Sequence, residues 1–125
     1  MNARARAQST VELAVIFPLL TLVVTGLLQF AIYYHARNVV VAAVQEGAQV
    51  AAALDGSEPA GAARADAVLR AGLGEAARQH IRLLRPERGD ERVRMEAEGY
   101  MQMFVGRLPL NVTADVSRER FRGPP

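Results

Sequence analysis

The chain has 125 residues, of which 50% are hydrophobic and 22% charged, so its length predicts one small domain and excludes a large α/β enzyme. It contains no cysteine, which excludes disulfide scaffolds, cysteine nucleophiles and cysteine-ligated zinc or iron–sulfur centres. Residues 1–37 carry three arginines and one acid, whereas the arginines and acids of residues 38–125 balance. A nucleic-acid partner would need a cationic surface to displace counterions, and the chain offers no such excess beyond residue 37.

An uncharged, largely apolar run occupies residues 13–36. About 20 such residues are needed to cross the hydrocarbon core of a bilayer, so the run predicts a membrane-spanning helix embedded in lipid. Pro18 lies inside it and predicts a kink, because proline removes one helical hydrogen bond. Two alternatives are a buried helix of a soluble core and a cleavable secretory signal. The run is longer than the usual apolar region of such a signal, which is about 7–15 residues.

The charges that flank the run predict its orientation. Arg4 and Arg6 precede it, and Arg37 alone follows it closely. The positive-inside rule then places the N-terminus in the cytoplasm and residues 37–125 outside the cytoplasmic (inner) membrane, with a single crossing.

Glu12 stands at the threshold of the apolar run, where a charge is expensive. A local interpretation is a capping box, in which Ser9 caps the helix and Glu12 lies three residues later. The preceding leader, MNARARA, is short, basic and free of acids. This order of features, a basic leader followed by a polar stretch, an acid and an apolar run, resembles the class III signal peptide of type IV pilins and pseudopilins.

That resemblance implies cleavage by a prepilin peptidase between Ala7 and Gln8, which makes Glu12 the fifth residue of the mature chain. The residue before the cut is alanine here, where the pilin pattern usually has glycine. Cleavage would create an amino terminus on Gln8, and Glu12 of a neighbouring subunit could pair with that cation inside a helix bundle.

The following stretch resembles the TadE-like proteins of Tad (tight adherence) pilus systems. The features are the small-polar-acid start AQSTVE, the proline in the span, the aromatic exit QFAIYYHA, and an alanine-rich helix containing Glu46-Gly47-Ala48. The resemblance implies a minor, pilin-like component of the pilus or its assembly apparatus, with a role in adhesion. Its implied partners are other pilin-like subunits, contacted through the N-terminal helix, and incorporation into an extracellular pilus is a further implied location.

Ala43, Gly47 and Ala51 follow at four-residue spacing on one face of a helix that continues to residue 54. Small residues in this pattern allow two helices to approach closely. The pattern fits packing against a neighbouring subunit, and it fits equally a helix that lies on its own domain.

Residues 55–62 form a turn by composition, and a second helix is predicted over residues 62–84. Asp66 and Arg70 are expected to pair on its surface, and Arg78, Arg82 and Arg85 to lie on a solvated face. The period then changes to two around Val93 and again around Val112, which predicts strands. The intervening residues 99–109 fit a third strand or a loop touching the membrane. The fold class is therefore α+β, with a long N-terminal helix that spans the membrane and extends beyond the bilayer, a second helix, and a small antiparallel sheet of two or three strands.

The predicted organisation is a leader at residues 1–7, the membrane helix and its extracytoplasmic continuation at 8–54, and a small α+β head domain at 55–125. No phosphate loop, metal-ligand spacing or nucleophile motif occurs, so we expect no enzyme activity, cofactor, metal or small-molecule substrate. The alternative to the pilin-like role is an unprocessed type II membrane protein with a small extracytoplasmic binding or regulatory domain. An enzyme would need a catalytic grouping that the sequence does not display.

Overall fold

The computed structural model describes residues 2–120; Met1 of the predicted leader and residues 121–125 of the predicted head domain lie outside the described residues. Two helices precede five strands: α1 (Ala3–Ala52), α2 (Glu58–Arg78), β1 (Ile81–Leu83), β2 (Glu87–Arg88), β3 (Arg92–Met103), β4 (Gly106–Pro109) and β5 (Val112–Ser117). This arrangement confirms the predicted α+β class. The chain divides into two compact units, Met1–Ile32 and Tyr33–Pro125, here called the N-terminal and the C-terminal unit.

The C-terminal unit begins within α1, whereas the predicted head domain begins at residue 55. The reason is that one face of α1 after Tyr33 is buried, as shown by Ala36, Val40, Ala43, Val44, Gly47, Ala48, Ala51 and Ala52. Their spacing of three and four residues forms one apolar stripe along the helix. Residues 33–52 are therefore part of this unit's core.

A tight turn separates the two helices. α1 ends at Ala52, two residues before the predicted end, and the Gly56 amide donates a hydrogen bond to the Ala53 carbonyl. A Cβ on Gly56 would lie 2.1 Å from the Val50 carbonyl oxygen, so only glycine fits this turn.

The second helix begins earlier and ends earlier than the predicted range of 62–84. Ser57 is its N-cap, and the Ser57 hydroxyl accepts a hydrogen bond from the Ala60 amide at 3.2 Å. Gly74, at φ 78°, interrupts the helical conformation, and α2 ends at Arg78. Residues 81–83, which continue the apolar stripe of the helix in sequence, form strand β1 instead.

The sheet has five strands, which corrects the predicted two or three, but it is only three strands wide. Central β3 pairs antiparallel with β1 and β2 along one edge, and with β4 and β5 along the other. Each edge is broken into two short strands near a proline, Pro86 or Pro109, because proline offers no amide hydrogen to the ladder. The alternation predicted around Val93 is confirmed, since Val93, Met95 and Ala97 are all buried.

Side chains from α1, α2 and the sheet together form the core of the C-terminal unit. Residues 36–52 of α1 contact Ala65 and Leu69 of α2 and the buried face of β3, including Met95. A second small cluster joins Ala51 and Ala52 to Val93. Residues 36–52 of α1 therefore pack with α2 and the sheet in the core of the C-terminal unit.

Candidate membrane-anchoring and assembly helix

The N-terminal unit exposes nearly all of its apolar side chains. α1 is long and apolar enough to cross a membrane. An 18-residue window within it has a mean hydropathy of 2.3 and is 0% buried. Phe17 and Leu22 are each 70% exposed. Leaving side chains of this kind in water costs about 1.5–3 kcal/mol each relative to burial, so this surface requires an apolar environment.

Hydroxyl groups in this unit bond to the helix itself. Ser9, Thr10 and Thr21 donate to the carbonyls of the residues four positions earlier, at 3.0, 2.9 and 2.9 Å. A hydroxyl satisfied in this way is tolerated inside lipid. The capping box proposed for Ser9 is wrong for the intact chain, because the helix begins at Ala3 and Ser9 lies within it. Capping therefore does not explain Glu12.

The residues of the predicted processing site lie on the same helix. Ala7, Gln8 and Glu12 are helical and exposed. Pro18 is also inside α1, and the helix is continuous through it, so the kink stays a prediction. The positions assigned to cleavage and charge pairing are thus on the surface.

Gly47 lies where α1 closely approaches both α2 and β3. A Cβ on Gly47 would fall 2.7 Å from Met95 Sδ, 2.8 Å from the Gly61 carbonyl oxygen and 2.9 Å from Ala65 Cβ. Ala43 and Ala51, on the same face, are fully buried. The small-residue face packs within the chain, which is the second of the two interpretations that the sequence left open.

Two glycines of α2 complete this close approach. A Cβ on Gly61 would lie 2.5 Å from the Gly47 carbonyl oxygen, and one on Gly72 would lie 2.4 Å from Val39 Cγ1. Sequence reasoning missed both glycines. The signal was the pairing of Gly61 with Ala65 at four-residue spacing, which matches the small-residue face of α1.

Tyr33 fixes the start of the C-terminal unit. It is half-buried against the core, and its hydroxyl donates a hydrogen bond to the Pro109 carbonyl at 2.8 Å. Pro109 is the last residue of β4 and pairs with Tyr100. This contact ties the open base of the β3–β4 hairpin, opposite its turn, to α1.

Charged residues of α2 form a network that includes the predicted pair. Arg70 Nε lies 2.8 Å from Asp66 Oδ2, which confirms the expected contact. Arg78 Nε lies 2.7 Å from Asp66 Oδ1, and Arg78 is only 19% exposed, so its assignment to a solvated face is wrong. Arg82 and Arg85 are exposed, as predicted. The hydrogen bond from Arg70, followed by Arg78, outweighs desolvation and lowers the pKa of Asp66.

We expect Asp66→Asn to destabilise the fold at neutral pH by about 1 kcal/mol, because exposed and half-exposed ion pairs contribute on this scale. A lowered pKa in the folded state stabilises the fold above the ordinary value of 3.8 and ceases to do so as the pH falls through the folded value. The difference in melting temperature between wild type and variant should therefore shrink in acid. The control is Asp90→Asn at an exposed site; an equal effect there, or a difference that grows in acid, would contradict this assignment.

Within residues 2–120, no three side chains among His, Cys, Asp and Glu converge as metal ligands do. A cleft of about 590 Å³ lies between the start of α2 and the edge formed by β1 and β2. Both acids and arginines line it, among them Glu58, Arg88 and Glu96. The Arg88 amide donates to Glu58 Oε1, and the guanidinium donates to the Gly56 carbonyl, so these groups hold the α1–α2 turn against the sheet.

Residues 7–49 of the chain match the family model described as TadE-like protein. The match confirms the resemblance inferred from the sequence, and it includes the predicted cleavage site, Glu12, Pro18, Ala43 and Gly47. No curated protein matches the chain, and no solved structure does either.

Proposed function

Starting from the TadE-like segment at residues 7–49, we propose that this protein is a minor pilin-like component of a Tad or type IV-like pilus, or of its assembly apparatus. Its N-terminal helix anchors it in the cytoplasmic membrane and packs with the corresponding helices of other pilin-like subunits. The observation that carries the proposal is an exposed apolar stretch of α1, residues 13–32, with Glu12, the one acid of the N-terminal unit, immediately before it.

The apolar surface has two successive environments in this proposal. Before assembly, lipid covers the helix, and the 0% burial of its apolar window is compatible with that environment. After assembly, helices of other subunits replace the lipid. Because lipid tails are as apolar as leucine, packing and polar contacts, rather than hydrophobicity, would drive the exchange.

Glu12 supplies the polar contact. Cleavage after Ala7 would leave an ammonium group on Gln8, four residues from Glu12 along the chain. Within a helix bundle, an unpaired carboxylate is costly, and an ammonium group from a neighbour would offset that cost. The charge pair would also fix the axial position of one helix against the next.

The flanking charges support an orientation with the N-terminus in the cytoplasm. Arg4 and Arg6 lie in the leader, on the side where a prepilin peptidase would act. The C-terminal unit would then be extracytoplasmic.

Intact-mass analysis and N-terminal sequencing of the chain purified from its native membrane test the proposal. We expect the mature chain to begin at Gln8, with residues 1–7 removed. An Ala7→Asp variant provides the control, because a charged residue in place of a small one should block cleavage and leave the chain full-length. A full-length wild-type chain would instead support the unprocessed type II membrane protein, whose extracytoplasmic domain binds or regulates a partner.

A further inference from the structure

The β3–β4 hairpin ends in two exposed apolar residues. Met103 pairs with Gly106, and Phe104 and Val105 form the two-residue turn between them. Phe104 is 89% exposed and Val105 is 91% exposed, the two largest values among the large apolar residues of the described part of the chain, residues 2–120. Two-residue hairpin turns ordinarily carry Asn, Asp or Gly, so this pair, here called the hairpin tip, is an unusual choice for a turn in water.

The hairpin tip lies at the end of the C-terminal unit where the chain arrives from residue 32. β3 runs opposite to α1, because Val93 at its start contacts Ala52, whereas Tyr33 bonds to Pro109, the partner of Tyr100. The tip follows Tyr100 by four residues. At about 3.3 Å per residue, it lies roughly 10 Å or more beyond the Tyr100–Pro109 pair.

The two ends of the C-terminal unit also differ in charge. No acid occurs in residues 99–111, and Arg107 is the one charged residue there. Arg107 belongs to β4, and its guanidinium lies 4.7 Å from the centre of the Tyr100 ring on β3. This cation–π contact holds the cation against the hairpin. The opposite end of β3 is densely charged, with Glu87, Asp90 and Glu91 at or next to the β2–β3 turn.

We propose that the hairpin tip inserts into the interfacial region of the bilayer, with Arg107 directed at lipid phosphates. This inference rests on the membrane anchoring given as the proposed function. An aromatic ring and a branched side chain gain by leaving water at the headgroup boundary, and a neighbouring cation is attracted to anionic lipid. The C-terminal unit would then stand on the membrane at two places, its N-terminal connection and the hairpin tip.

The absence of tryptophan from the sequence allows a direct test. The full-length Phe104→Trp variant is reconstituted in phosphatidylcholine–phosphatidylglycerol vesicles with brominated acyl chains, which quench indole fluorescence at short range. We expect the emission maximum to lie at shorter wavelength than that of Asp90→Trp in the same vesicles, and most of the emission to be quenched. Asp90→Trp, at the charged end of the same unit, is the matched control and should be quenched little.

Phe17→Trp reports on the anchor itself. If that variant is quenched and Phe104→Trp is not, the hairpin inference fails while membrane anchoring stands. If neither variant is quenched, both the hairpin inference and the proposed membrane anchoring fail. If the Phe104→Trp emission is protected from water only at high protein density and without bromine quenching, the tip contacts another protein copy, which also overturns insertion into lipid.

Discussion

Replacing Gly47 with leucine is expected to unfold or severely destabilise the C-terminal unit. The first atom of the new side chain would already lie within 2.9 Å of Met95, Gly61 and Ala65, and the rest of it would have no space. Overpacking of a core commonly costs about 1–3 kcal/mol, and this contact includes a backbone carbonyl that cannot rotate away, so we expect about 3 kcal/mol or more. Thermal unfolding of the full chain in detergent, followed by circular dichroism, measures the loss.

Gly26→Leu is the matched control for this experiment. Gly26 lies in the same helix, and nothing stands within 4 Å of the position that its Cβ would take. The identical substitution should therefore leave the melting temperature of the C-terminal unit unchanged. A Gly47→Leu chain as stable as wild type would mean that this face of α1 is open, and packing against another subunit would become the better interpretation.

If the proposed charge pairing holds, Glu12→Ala is expected to reduce incorporation of the protein into the proposed pilus assembly about tenfold or more, with the C-terminal unit still folded. Breaking a buried ion pair by removing one partner costs about 3–5 kcal/mol, and a tenfold change corresponds to about 1.4 kcal/mol. Co-purification with other pilus subunits from native membranes measures the incorporated fraction. The melting temperature of the variant should equal that of wild type, since Glu12 lies outside the C-terminal unit.

Glu46→Ala controls for the loss of a negative charge on the same helix. Glu46 is 42% exposed and pairs with Arg64 at 2.8 Å, a surface contact worth less than about 1 kcal/mol. We expect this variant to assemble normally. Normal incorporation of Glu12→Ala would refute the role of Glu12 in charge pairing, and equal losses for both variants would show that net charge, rather than position, matters.

The sequence by itself determined the features that depend on local pattern. The uncharged run, the acid at its threshold and the order of motifs led to the TadE-like segment, because each is a property of consecutive residues. The alternation of Val93, Met95 and Ala97 likewise fixed a strand with one buried face. A helical surface pair such as Asp66 with Arg70 also follows from spacing alone.

Tertiary structure decided the features whose partner is distant in sequence. The spacing of Ala43, Gly47 and Ala51 predicts a close neighbour, but Gly61 and Ala65 of the same chain supply it. The sequence predicts residues 81–83 as the end of the second helix, but pairing with β3 makes them a strand. Gly99 permits this pairing, since a Cβ there would lie 2.4 Å from the His80 carbonyl oxygen. Arg78 becomes half-buried because the chain turns after α2. In each case, a short pattern is compatible with several environments, and contacts across the fold choose among them.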